Sequence, residues 1–126
     1  MRAVDTNLLV RLLVRDDARQ VAAAEAFIER GAWVSQLVLV EAVWVLDAVY
    51  GRNHAQVVHA LELLLAHAQL SVQDEDTVAS ALANYRSHPA LGFSDCLVLE
   101  VARRAGHLPL GSFDRRLARL EGVQRP

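Results

Sequence analysis

The chain has 126 residues, 53% hydrophobic and 22% charged, which excludes a disordered protein and suits one domain, 1–126, with a real core. No apolar run reaches the roughly 20 residues of a membrane span, and Met1–Asp5 lacks the apolar segment of a signal peptide, so a cytoplasmic protein with no membrane partner is expected. The net charge of −2 argues against a broadly basic nucleic-acid binder, and the single cysteine, Cys96, excludes an internal disulfide.

Arg2-Ala3-Val4 is a short apolar entry that ends at Asp5-Thr6-Asn7, three residue types that cap helices. Leu8, Leu9, Leu12 and Leu13 follow at helical spacing, and Asp16-Asp17 breaks this segment and caps the next. Val21, Ala24, Phe27 and Ile28 mark the second helix, stopped at Gly31. Ala32-Trp33-Val34 reads as a strand. Ser35 opens a third helix toward Gly51, and Asn53 caps a fourth whose inward residues are Val57, Val58, Leu61, Leu64 and Leu65.

Leu70-Ser71-Val72 is the next strand, and Asp74-Glu75-Asp76 starts a helix with Val78, Ala81, Leu82 and Tyr85 inward. His88 to Gly92 is a loop. Ser94-Asp95 starts a helix through Leu97, Val98, Val101 and Ala102 that stops at Gly106. His107 to Gly111 is the fourth strand candidate, and Ser112-Phe113-Asp114 leads into a short Arg-rich helix. Strands alternating with helices predict an α/β domain with a mainly parallel sheet.

Glu41 interrupts the run Leu37 to Leu46, which reads as a buried element. A buried carboxylate needs a proton, an arginine or a metal ion. Asp5 and Asp114 each follow a strand and precede a helix, on the sheet edge where ligands bind in parallel sheets, and Asp95 sits at a helix N-terminus. Each aspartate alone reads first as a helix cap. Ser94 and Ser112 could cap instead and free their neighbours. Together the four acids favour a carboxylate site for Mg²⁺ or Mn²⁺, the donor set of in-line phosphodiester hydrolysis by a metal-activated water. With four acids set aside, 13 basic residues face 11 acidic ones, and a polyanion could approach.

Val4-Asp5-Thr6-Asn7-Leu8-Leu9-Val10, the glutamate of Val40-Glu41-Ala42-Val43-Trp44-Val45-Leu46, Phe93-Ser94-Asp95-Cys96-Leu97 and Ser112-Phe113-Asp114 resemble, in order, the motifs of PIN-domain ribonucleases. Within that family they look most like VapC toxins of type II toxin–antitoxin systems. The resemblance implies a three-layer α/β/α fold around a central, mainly parallel sheet of four to five short strands. It also implies a Mg²⁺- or Mn²⁺-dependent endoribonuclease with RNA as substrate, a homodimer, and inhibition by a cognate antitoxin. Asp5, Glu41, Asp95 and Asp114 take the acidic positions, as catalytic and metal-binding residues. Thr6 and Asn7 match flanking polar positions, and Ser112 stands where the family often has Thr. Arg116 stands near where some PIN domains carry a further acid, a departure that counts against a second metal position.

Arg115, Arg116 and Arg119 read as a solvated face or a phosphate rim, with Arg11 and Arg15 as weaker phosphate candidates. Aromatic residues are 6% of the chain, few for a stacking platform, so substrate choice by RNA shape or backbone is the expectation. No Walker A, dinucleotide-binding or zinc pattern occurs, and Cys96 reads as a buried, inert thiol. Two further readings remain open. One is a catalytically weak domain that binds RNA or a protein; the other is a metal-dependent phosphatase or DNA nuclease. The apolar helix faces exceed what a sheet can cover. Gly51–Gln73 is expected to contribute to a dimer interface or antitoxin groove.

Overall fold

A computed structural model describes residues 1–126, a mixed α/β chain of six helices and five short strands, every strand pairing parallel. The chain divides into two compact units, Met1–Glu75 and Asp76–Pro126.

The first unit runs β1 (Arg2–Ala3), α1 (Thr6–Val14), α2 (Ala18–Ile28), β2 (Ala32–Val34), α3 (Gln36–Ala48), α4 (His54–Ala66) and β3 (Leu70–Val72). Its sheet order is β1-β2-β3, with Arg2 opposite Ala32 and Ala32 opposite Leu70. Parallel neighbours need crossovers, and each crossover here is a helix pair. The caps are those the residue types dictate. Asp17 accepts from the amides of Arg19 and Gln20, and Ser35 from that of Val38. Asn53 and Gln56 form a reciprocal capping box. Gly31 turns the chain from α2 into β2 at φ +96°, a conformation costly to a residue with a Cβ.

Leu9, Leu39, Leu61 and Leu64 are almost fully enclosed and form the centre of this unit's core. The carboxyl edge of the ladder is tied by two glutamines. Gln36 donates its amide N–H to the Gln73 side chain at 3.0 Å, and its own side chain donates to the Gln73 carbonyl at 3.3 Å. The N-terminus of α3 is therefore fastened to the end of β3.

The second unit contains α5 (Glu75–Ser87, shared at its first residue with the first unit), α6 (Phe93–Ala105), β4 (Leu110–Gly111), a single 3₁₀ turn (Leu117–Arg119) and β5 (Val123–Gln124). β4 and β5 form a separate two-stranded ladder, Leu110 opposite Val123. Tyr85 and Phe93 meet edge to face, ring centroids 5.9 Å apart.

Three local expectations are corrected. The Arg-rich segment after Asp114 makes only a 3₁₀ turn: the Asp114 carboxylate caps its first amides, but the chain turns extended at Leu120 on its way to β5, which pairs with β4. On α6 the inward face is Phe93, Cys96, Leu97, Leu99 and Glu100, whereas Val98 and Val101 are 53% and 42% exposed. That helix buries a carboxylate, so its apolar stripe alone points to the wrong phase. On α3 the inward residues are Leu39, Ala42 and Leu46, and Glu41 is exposed. Two residues past Leu39 is about 200° around the helix, which turns Glu41 away from the core.

Candidate functional site

Four acids were singled out in the sequence, and each unit carries two of them. In the first unit Asp5 lies immediately beyond β1. It caps α1, its Oδ1 accepting from the Leu8 amide at 2.9 Å. Glu41 lies in the second turn of α3, and its Oε2 accepts from the Thr6 hydroxyl at 2.9 Å. That bond joins the first turn of α1 to α3 and holds the Glu41 carboxylate beside the residue that follows Asp5. No arginine answers Glu41. Being exposed, it needs no buried counter-ion.

In the second unit Asp95 lies in the first turn of α6, half-buried. The N-cap of that helix is Gly92, which has no side chain to offer, and Ser94 makes no capping bond. A Cβ on Gly92 would lie 3.3 Å from the Asp95 Oδ2, so the bare glycine leaves room for that carboxylate. Asp114 follows the β4–β5 ladder, which is extended by the Ser112 amide donating to the Gln124 carbonyl at 3.0 Å. The Ser112 hydroxyl accepts from the Asp114 amide at 3.1 Å, and the Asp114 Oδ1 accepts from the Arg116 amide at 2.8 Å.

Asp5 and Asp114 are thus caps, as their residue type suggests. Capping engages one of two carboxylate oxygens and does not remove the charge. Each of the four acids offers carboxylate oxygen, a donor type that suits Mg²⁺ or Mn²⁺. Neither unit by itself brings three or more His, Cys, Asp or Glu side chains into a metal-holding group.

The arginines sort themselves differently. Arg11 pairs with Asp16 at 2.8 Å and donates to the Tyr50 hydroxyl, and its guanidinium is held above the usual arginine range, chiefly by that hydrogen bond. Arg15 pairs with Glu25 at 2.5 Å. It lies at the end of α1 remote from Asp5, roughly 15 Å along the axis. Asn7, Arg115 and Arg116 are exposed.

Two features escaped sequence reasoning. The buried carboxylate of this chain is Glu100, 7% exposed, whose Oε2 accepts from Arg103 Nε at 2.8 Å and whose Oε1 lies 3.5 Å from the Asn84 amide. The i, i+3 spacing of Glu100 and Arg103 was the available signal. The second is a cavity of about 980 Å³ in the first unit. Leu12, Ile28, Leu63 and Leu64 line it, and Arg15, Glu25 and His59 lie among its polar residues.

Cys96 is fully enclosed on α6, and burial pushes its thiol up from an ordinary 9.0 to about 11, with Asp95 and Glu100 adding to the rise. The stability linked to the neutral thiol is therefore fully present below pH 9 and lost as pH rises through about 11. We expect the native thiol to react slowly with Ellman's reagent at pH 8, and at the rate of a free cysteine once urea unfolds the chain. Equal rates in both states would contradict the burial.

No helix is long and apolar enough to cross a membrane. Neither the curated proteins nor the solved structures contain a match to the chain. The sequence model of one family does match, that of the PIN domain, over residues 2–123, through both units and all four acids. PIN domains are a nuclease-type fold, generally of hydrolases that act on nucleic acid, and with a match of this extent the chain belongs to the PIN-domain family.

Proposed function

We propose that the chain is a Mg²⁺- or Mn²⁺-dependent endoribonuclease, the toxin of a VapC-type toxin–antitoxin pair. In this reading residues 1–126 work as one nuclease domain in the cytoplasm, as a homodimer held inactive by a cognate antitoxin. The observation that carries the reading is the family match together with the position of each acid. Asp5, Asp95 and Asp114 stand near element ends, and Glu41 turns outward from the second turn of α3, so each carboxylate can serve a ligand without entering the core.

Asp5, Glu41, Asp95 and Asp114 would hold the ion. Bound there, it would lower the pKa of a water and neutralise charge at the scissile phosphate. Thr6 orients Glu41 through its hydroxyl, and Ser112 braces the turn that carries Asp114. Exposed Arg115 and Arg116 would meet the RNA backbone. Metal removal is the direct test. EDTA should abolish cleavage of a total-RNA pool, and added Mn²⁺ should restore it. Cleavage undiminished by EDTA would end the metal reading.

The cavity of the first unit supports the partner side of the proposal. Most of its wall comes from the Gly51–Gln73 segment expected to meet a partner, with α1 and α2 facing α4 across it, and it offers an apolar floor with charged residues around it. An amphipathic helix of the antitoxin suits such a groove. Leu63 is 54% exposed there, so Leu63→Asp should leave the melting temperature within a few degrees of wild type. Co-purification of the antitoxin should be lost. Retained co-purification would place the antitoxin elsewhere.

A further inference from the structure

Aromatic side chains are scarce in this chain, and most are engaged. Phe27 lies under the Arg2 guanidinium, 4.6 Å from its ring centroid, Tyr50 accepts from Arg11, and Tyr85 meets Phe93. Trp33, on the central strand of the first ladder, is 38% exposed. Trp44 and Phe113 stand largely in solvent, 66% and 74% exposed. Each has a site acid as its neighbour. Trp44 is three residues after Glu41 on α3, and residues so spaced share a helix face with Cβ atoms about 5–6 Å apart. Phe113 directly precedes Asp114.

The surroundings of the two rings suit a nucleotide better than a protein. On α3, Glu41 lies between Leu37, 70% exposed, and Trp44. Phe113 is followed by Asp114, Arg115 and Arg116, all exposed. The centre of a protein interface is depleted of charge, and a protein seated on Trp44 would have to desolvate Glu41. A nucleotide carries an apolar ring face and a charged phosphate side by side. It therefore calls for an aromatic next to cations: Arg115 and Arg116 after Phe113, and beside Trp44 the metal ion that Glu41 would help hold.

We propose that Trp44 and Phe113 are nucleobase-stacking residues, each holding an unpaired base next to the phosphate served by its neighbouring acid. The inference rests on the ribonuclease reading above. Stacking accepts any base, because every base has a π-face, but requires that the base be out of a duplex. The low aromatic content argued against a stacking platform. The exposure of these two rings beside the acids reverses that expectation.

The test is binding of a short fluorescein-labelled single-stranded RNA, alone and in a duplex, to the Asp95→Asn protein in Mg²⁺, followed by anisotropy. The single strand should bind at least about tenfold more tightly than the duplex, and Trp44→Ala and Phe113→Ala should each weaken it by about 5- to 100-fold. Trp44→Phe, which keeps a ring, should stay within a few-fold. Unchanged affinities in the alanine variants, or a duplex bound as tightly as the single strand, would overturn the proposal. So would a loss of RNA binding that light scattering shows to accompany a dimer turning to monomer, since the rings would then be a protein interface. A wild-type protein that binds the single strand through these rings but cuts it with neither Mg²⁺ nor Mn²⁺ would instead end the ribonuclease reading and leave the stacking assignment standing.

Discussion

Replacing Asp95 by Asn should lower RNA cleavage by on the order of 10²–10³ or more, the scale seen when a group acting on developing charge is removed. The fold should survive. Asn matches Asp in size, and Asp95 makes no hydrogen bond that its helix depends on. What α6 loses is the attraction between a carboxylate and its N-terminal dipole, about 0.3–1 kcal/mol. A melting temperature within roughly 5 °C of wild type, with cleavage gone, is the expected pairing. Retained cleavage would remove Asp95 from the site. A collapse of the fold would show that Asp95 matters through stability, and the acid-site argument would lose its sharpest support.

The second large effect concerns stability. Arg103 joins two parts of the second unit. Its Nε donates to buried Glu100 and its Nη2 donates to the Glu121 carbonyl, both at 2.8 Å. A Cβ on neighbouring Gly122 would press to 3.3 Å on that guanidinium and 3.2 Å on Leu108, so the turn before β5 is fitted around the arginine. Arg103→Ala leaves a carboxylate that is only 9% exposed at its side chain without its cation. Removing one partner of a fully buried pair costs about 3–5 kcal/mol. Arg103 is itself 37% exposed, and water reaching the gap reduces the loss to about 2 kcal/mol, roughly a 5–10 °C fall in melting temperature. The double variant Glu100→Leu with Arg103→Met, which removes both charges, should melt above the single Arg103→Ala variant. If the double variant melts lower, the cost lies in lost packing and not in the stranded charge.

Most elements were legible because their ends carry cap chemistry. Asp17, Ser35 and Asn53 read as caps and act as caps, and Gly31 and Gly106 stop helices in left-handed geometry. Failures came where one helix face had to be chosen. The run around Glu41 is apolar on nearly every side, so its sequence has no phase. The run reads as buried at Glu41, which is exposed, and Leu37 and Trp44 on the same helix also face out. On α6 the buried Glu100 hides the true face. The final strand, Val123–Gln124, is too short to show an alternating pattern, and its pairing with β4 depends on a turn braced by Arg103. The acids were legible by position, since aspartates near strand ends are conspicuous. Their role was not, because one residue type serves as both cap and ligand. Asp5 and Asp114 make capping bonds whatever else they do.

The proposed nuclease requires four carboxylates acting together. Its most direct test is to incubate one RNA pool with wild-type protein and with Asp5→Asn, Glu41→Gln, Asp95→Asn and Asp114→Asn, each in Mg²⁺, and to measure Mn²⁺ binding to the same five proteins by calorimetry. Discrete RNA fragments are expected from wild type alone, and Mn²⁺ binding should weaken in every variant. Fragments of equal yield from the variants, or Mn²⁺ binding indifferent to all four substitutions, would contradict it.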